Sequence, residues 1–151
     1  MKRGWLGPVV MLMAVVALMG VLRARFGGVA ETPASFASHT SLDDAIARSA
    51  ESGKPVLALV TADWCGPCQA LKRGALADDR VAEWISENAI AAYVDGTDSR
   101  SEEAQRELGL LRVEAFPTLV LFDRDGELSR RTGVFPAGEL LRWLEGSGVG
   151  R

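Results

Sequence analysis

The sequence predicts an α/β domain with a mixed sheet of about four or five strands and helices on both faces, preceded by one apolar N-terminal helix. Three observations lead there. Between Ser41 and Gly146 the pattern runs helix, strand, helix, strand, helix, strand, strand, helix, and such an alternation closed by a hairpin makes a mixed sheet covered on two sides. Two strand segments, Val56–Thr61 (VLALVT) and Thr118–Phe122 (TLVLF), are apolar except for a single threonine, which suits strands buried on both faces. The length, 151 residues, leaves room beyond one domain of ~100–150 residues.

The extra length lies first, in residues 1–25. Trp5–Leu22 (WLGPVVMLMAVVALMGVL) is an uncharged run of 18 residues between Lys2-Arg3 and Arg23-Ala24-Arg25. A helix crossing the hydrocarbon needs ~17–25 residues, and a core helix would keep a polar face that this run lacks. Two readings stay open: an uncleaved membrane anchor, or a signal sequence cut at Gly28-Val29-Ala30 that leaves the body secreted. Signal apolar regions are typically ~7–15 residues, and two arginines separate the run from that cleavage site, so the anchor is the expectation. Lys2, Arg3 and the start amine outweigh Arg23 and Arg25 by one charge, which points the N-terminus to the cytoplasm and the body out of it.

Charge separates head from body. The first 25 residues carry four basic side chains and no acidic one; the rest carries 13 basic and 20 acidic, a net −7. A body this acidic offers no basic stripe for phosphates, which argues against a nucleic-acid partner. Its charge serves solubility.

Residues 26–40 (FGGVAETPASFASHT), rich in small and turn-forming residues without apolar periodicity, read as a linker. The only histidine, His39, falls there and is expected to be solvated rather than catalytic. Ser41 is a cap for a helix to Ser52, with Leu42, Ala45, Ile46 and Ser49-Ala50 on one face and Gly53 as its stop. Val56–Thr61 follows as a strand, then the motif Trp64-Cys65-Gly66-Pro67-Cys68. Gln69–Ala77 and Val81–Glu87 read as one helix, broken or bent near Asp78-Asp79, with Leu71, Leu76, Trp84 and Ile85 turned to the core. Ile90–Asp95 is a second strand, and Ser101 caps an acidic-led helix to Leu108. Pro117 precedes the Thr118–Phe122 strand; Asp123-Arg124-Asp125-Gly126 turns it into Glu127–Thr132. Pro136–Glu145 closes the domain, packing Leu140, Leu141 and Leu144 with Arg142 in water. The domain is read as residues 41–146, with 147–151 as a tail.

The chain has two cysteines, spaced C-x-x-C after a strand and at a helix start. A zinc site takes about four ligands, and two thiols with one distant histidine do not supply them. A structural disulfide is the second reading, but closing so short a loop stabilises by only roughly 2 kcal/mol. Redox chemistry explains the placement better. The helix dipole and its unpaired N–H groups stabilise a thiolate at Cys65. Pro67 suits the first helical turn and stiffens the loop, and Cys68, one turn inward, is placed to attack a mixed disulfide at Cys65.

Trp64-Cys65-Gly66-Pro67-Cys68 after a buried strand, with Phe116-Pro117-Thr118 leading into a later one, resembles the thioredoxin superfamily over about Ser41–Gly146. Gly53-Lys54-Pro55-Val56, Ala62-Asp63-Trp64-Cys65 and Asp78-Asp79-Arg80-Val81 further resemble the C-terminal domain of DsbD, the membrane protein that carries reducing equivalents to the bacterial periplasm. The resemblance implies a thioredoxin-like fold. It also implies that Cys65 is the attacking thiol, Cys68 the resolving thiol and Pro117 a cis-proline facing them. A client would lie along Trp64, Gly66, Pro67, Phe116 and Pro117, with the Phe116 backbone pairing with an extended segment.

Two positions depart from that pattern. Where the family places a buried acid six residues before the first cysteine, this chain has Leu59; where the DsbD domain has a second acid four residues after the second cysteine, it has Lys72. Asp63, in the loop, is expected to face water rather than move protons. Lys72 is expected to be a solvated side chain, the alternative being a charge that acts on a thiol. The function expected is a membrane-tethered extracytoplasmic reductase of protein disulfides, fed by a membrane electron-donor protein. It needs no cofactor beyond the Cys65–Cys68 disulfide and no metal. A thiol oxidase or isomerase, or a client-binding module with incidental thiols, are the alternatives.

Overall fold

The structure, a computed structural model, describes residues 6–149, and the side chains of these except 6 and 22–26. Ten helices and strands follow in order: α1 (Leu6–Phe26), α2 (Leu42–Ser52), β1 (Val56–Thr61), α3 (Gly66–Arg73), α4 (Asp79–Asn88), β2 (Ile90–Asp95), α5 (Glu102–Leu110), β3 (Thr118–Asp123), β4 (Gly126–Thr132) and α6 (Ala137–Gly146). Among the described residues no helix is long and apolar enough to cross a membrane. The spanning anchor expected from Trp5–Leu22 is therefore not shown by the fold. Lys2, Arg3 and Trp5, and the last two residues of the tail, lie outside the described residues.

Four strands form one sheet in the order β2-β1-β3-β4, the lower of the two numbers expected. β1 pairs in parallel with β2 and antiparallel with β3, and β3 turns back into β4, so the sheet is mixed. All six residues of β1 are buried, because both faces of the sheet are covered. Its alternate residues serve two cores. Leu57 and Leu59, with Leu119 and Leu121 of β3, meet Leu71 of α3, Leu76 of the turn after it, Val81 and Ile85 of α4, and Leu140 and Leu144 of α6. Val56, Ala58 and Val60 meet Leu42 and Ala45 of α2, Ala92 and Val94 of β2, and Leu111. Each fully buried leucine contributes about 1.5–3 kcal/mol through the area it takes from water.

Local chemistry sets the boundaries. The Ser41 hydroxyl accepts from the Asp44 N–H (3.2 Å) to start α2, and Gly53 at φ 74° ends it in the left-handed conformation. Ser101 accepts from the Ala104 N–H (3.2 Å) at the start of α5. The long helix read from Gln69 to Glu87 is three pieces: α3, a 3₁₀ turn at Ala75–Ala77, and α4. The break comes where the Asp78 carboxylate accepts from the Arg80 N–H (3.1 Å) and so begins a new helix. Asp123 Oδ1 accepts from the N–H groups of Asp125 and Gly126, tightening the predicted hairpin.

Three expectations about packing change. Ile46, placed on the core face of α2, is 42% exposed, the buried stripe there being Leu42 and Ala45. Trp84 and Leu141 pack against the core only partly buried. The segment 26–40 is not a free linker: Ala30, Pro33 and Phe36 are buried, and Phe36 belongs to the core beside Leu57 and Ile85. The Ala30 N–H donates to Gln69 Oε1 (2.6 Å), and Arg73 donates to the Gly28 carbonyl (2.6 Å). One aromatic held by a 3₁₀ turn at Ala34–Phe36 has no repeat along the chain, so apolar periodicity does not reveal it.

Candidate active site

β1 and β2 run parallel and β3 begins where β1 ends, so the β1–α3 loop, the turn after β2 and the approach to β3 meet at one end of the sheet. Cys65 stands at the junction of the β1–α3 loop with α3. Its backbone is extended (φ −86°, ψ 102°) and its sulfur caps the helix, accepting from the Cys68 N–H (3.1 Å). Gly66 and Pro67, both exposed, form the first turn, where a missing N–H costs nothing. Cys65 and Cys68 are joined by a disulfide with S–S 2.14 Å and Cα–Cα 5.2 Å. Cys65 retains 5% exposure and Cys68 none, so an incoming sulfur meets Cys65 first.

Phe116 packs against Ala62, Cys65 and Cys68, and the Phe116–Pro117 peptide is cis, the isomer that the resemblance implied. Pro117 is buried and its carbonyl accepts from the Gly133 N–H (2.9 Å). Trp64 is 62% exposed, which places it on the surface rather than in the core. Its Nε1 donates to the Thr97 carbonyl (3.1 Å), and its ring meets Phe116 edge to face at 5.4 Å. The Asp63 N–H donates to Thr97 Oγ1 (2.9 Å), while the Asp63 side chain faces water as expected. The seven residues of the predicted site, Trp64, Cys65, Gly66, Pro67, Cys68, Phe116 and Pro117, thus share one end of the sheet.

Gly96, in the turn after β2, completes this wall. A Cβ there would lie 2.6 Å from the Phe116 ring. Gly96→Ala is therefore expected to push Phe116 off its seat. The predicted result is about a tenfold to hundredfold lower kcat/KM toward a peptide disulfide, with overpacking costing about 1–3 kcal/mol. Reaction with a small aromatic disulfide, which needs little of this wall, should change less, and equal losses on both substrates would count against a client-positioning role.

Behind the sulfurs the site departs further from expectation. Leu59 is fully buried in the apolar core, its neighbours across the sheet being Tyr93 and Leu119. No proton acceptor stands there. Lys72, read as solvated, is only 3% exposed, which corrects that reading: helix position alone put it on the surface, but α3 turns this face to the sheet. Its Nζ donates to Tyr93 Oη (3.4 Å) and lies 5.9 Å from the ring centroid. Burial pushes the Lys72 amine below its ordinary range, with Asp63 and Asp95 acting in the opposite sense. Burial also raises the Tyr93 phenol, and the same two carboxylates raise it further. His39 is exposed, its ring edge on Tyr93 at 5.1 Å.

Gln69 is the residue that the sequence did not mark. It is 6% exposed, and its amide donates to the carbonyls of Ala62 (3.1 Å) and Asp63 (3.2 Å) while accepting from Ala30. It braces the active-site loop from behind. A glutamine at a helix start is ordinary on a surface, so its type carried no signal. Among the described residues no group of three or more His, Cys, Asp or Glu is placed to hold a metal ion.

A sequence model of the family described as "Thioredoxin-like domain" matches residues 42–147. The thiol:disulfide interchange protein DsbD of Yersinia pestis is 31% identical over 96 residues, 62% of this chain but 16% of that protein. The chain thus spans a small part of the length of the DsbD relatives. Chloroplastic thioredoxin Y2 of Arabidopsis thaliana is 31% identical over 124 residues, 82% of this chain and 67% of that protein. Among solved structures, the reduced C-terminal domain of Neisseria meningitidis DsbD matches with a TM-score of 0.61 at 22% identity, covering 70% of this chain and 93% of that one. At that identity the likeness speaks for the fold.

Proposed function

We propose, on the premise that this chain belongs to the thioredoxin-like family, that it reduces protein disulfides outside the cytoplasm while tethered to a membrane through α1. The observation that carries this reading is the asymmetry of the pair: a helix-capping sulfur at the surface, Cys65, backed by a fully buried one, Cys68. A nucleophile has to be reached, whereas a resolving thiol has only to reach its neighbour.

The cycle balances. In the reduced protein the Cys65 thiolate attacks one sulfur of a client disulfide, the client S–S bond breaks, and the first client thiolate leaves. Cys68 loses its proton and attacks Cys65 Sγ. The mixed disulfide breaks, the second client thiolate leaves with the bonding pair, and two electrons have passed from the dithiol to the client. A membrane electron-donor protein then returns the Cys65–Cys68 disulfide to the dithiol. No cofactor other than that disulfide enters the cycle. The exposed Trp64, Gly66 and Pro67, with the Phe116–Pro117 edge beside them, make the surface on which a client strand is held.

Direction rests on the Gly66-Pro67 dipeptide, which is that of thioredoxin, a reductant near −270 mV. The tether rests on the uncharged run Trp5–Leu22 between basic pairs, and on side chains from Val9 to Val21 that stand exposed without a core to cover them. The resemblance to DsbD supports the extracytoplasmic side. Cys68→Ala is expected to accumulate mixed disulfides between Cys65 and exported proteins, seen as thiol-sensitive bands whose partners can be identified. Their absence in cells would sink the reading. A potential above about −150 mV would instead favour an oxidase.

A further inference from the structure

The face of α3 that carries Cys68 also carries a buried cation. Cys68 and Lys72 are four residues apart in α3, so their side chains lie one above the other on one face. That face is turned inward, with Cys68 and Leu71 at 0% and 1% exposure and Lys72 at 3%. Lys72 Nζ meets the Tyr93 hydroxyl at 3.4 Å, and among the described residues no carboxylate lies within ion-pairing distance of it. Leu59, across the sheet from Tyr93, adds no charge. A buried ammonium without an adjacent anion is costly unless a negative charge forms beside it. Cys68 is placed to supply that charge each time it is deprotonated.

The charged and titratable groups around Lys72 come from several elements. Asp63 of the β1–α3 loop and Asp95 of β2 attract its charge from a distance, and Arg73 opposes it. Tyr93 touches it, and Lys72 opens on a cleft of about 460 Å³ that His39, Glu103 and Glu107 also line. The cleft gives water access to the lower end of α3.

Resting on the reading of Cys65 and Cys68 as a reducing pair, we propose that Lys72 is a positioning residue that acts through Cys68: its ammonium stabilises the thiolate that resolves the mixed disulfide. In that step the Cys68 proton is released to solvent. The new bond forms between Cys68 and Cys65, the bond from Cys65 to the client breaks, and the client sulfur takes the electron pair. Lys72 stays protonated throughout. A charge thus takes the part that a proton acceptor at Leu59 would have played.

The test mixes the reduced protein with the aromatic disulfide DTNB. Attack by Cys65 releases the first coloured thiolate, and resolution by Cys68 releases the second. Lys72→Met is expected to leave the first phase largely unchanged, to slow the second about tenfold at neutral pH and to move its pH midpoint upward, since loss of a cation one helical turn away disfavours a thiolate. Lys72→Arg should keep the midpoint. A second phase present in every variant with an unmoved midpoint overturns the proposal while sparing the reductase reading. No second phase in the unsubstituted protein ends both. A measurement without substitution is independent of folding: the Lys72 side-chain carbon resonance should titrate at higher pH in the reduced protein than in the oxidised one, because coupling between two sites is reciprocal. Identical titrations in both states overturn the proposal.

Discussion

Cys65→Ser is expected to abolish insulin-disulfide reduction, leaving only the uncatalysed background, while the domain stays folded. The two halves of this expectation come from the same atom. Cys65 Sγ caps α3 by accepting from the Cys68 N–H at 3.1 Å, and a serine hydroxyl is a favoured residue for that work. The helix start and the packing around Phe116 are therefore kept. A hydroxyl cannot form or release a disulfide, so the exchange has no first step. The variant should match the reduced wild-type protein in thermal stability and fall below the oxidised one by roughly 2 kcal/mol, the worth of closing so short a loop. Client binding that survives together with undiminished reduction would place the chemistry elsewhere.

Phe36→Ala should be the most damaging single substitution outside the disulfide, costing about 3–5 kcal/mol. Against a typical total of ~5–15 kcal/mol, that removes a large share of the margin. Phe36 is 1% exposed and lies in the same buried cluster as Ile85 and Leu57, its 3₁₀ turn packed against α4. Urea denaturation checks it, with the midpoint falling and the slope unchanged. A loss under about 1 kcal/mol would mean that residues 30–36 only rest on the surface and that the domain begins at Ser41.

What could be read from the chain followed from repetition. β1 and β3 announced themselves by unbroken apolar runs, α2 and α5 by a capping serine followed by acidic residues, and the hairpin by Asp123 and Gly126. The reactive pair was legible because its two cysteines sit at fixed offsets from a strand end and a helix start. Features made by a single contact across the fold were not legible. Phe36 has no periodic companion, Gln69 looks like any surface glutamine, and the placement of Lys72 depends on how α3 is rolled against β2. Leu59 and Lys72, where the resemblance implies acids, were the hints that the setting behind Cys68 is unusual, and only Tyr93 beside Lys72 shows what Lys72 meets there.

The bonds at Gly28 and Ala30 shorten the reach of the domain. Fifteen residues of free chain, 26–40, would span up to ~50 Å when stretched. With Ala30 held by Gln69 and Gly28 by Arg73, only the stretch from Phe26 to Gly28 remains slack, at most ~7 Å. A domain tethered through α1 would then work on a short leash, with its active-site loop fastened through Gln69 to the very stretch that follows α1. Such a leash would select clients by altitude as much as by sequence, favouring disulfides presented close to the membrane surface over those farther from it.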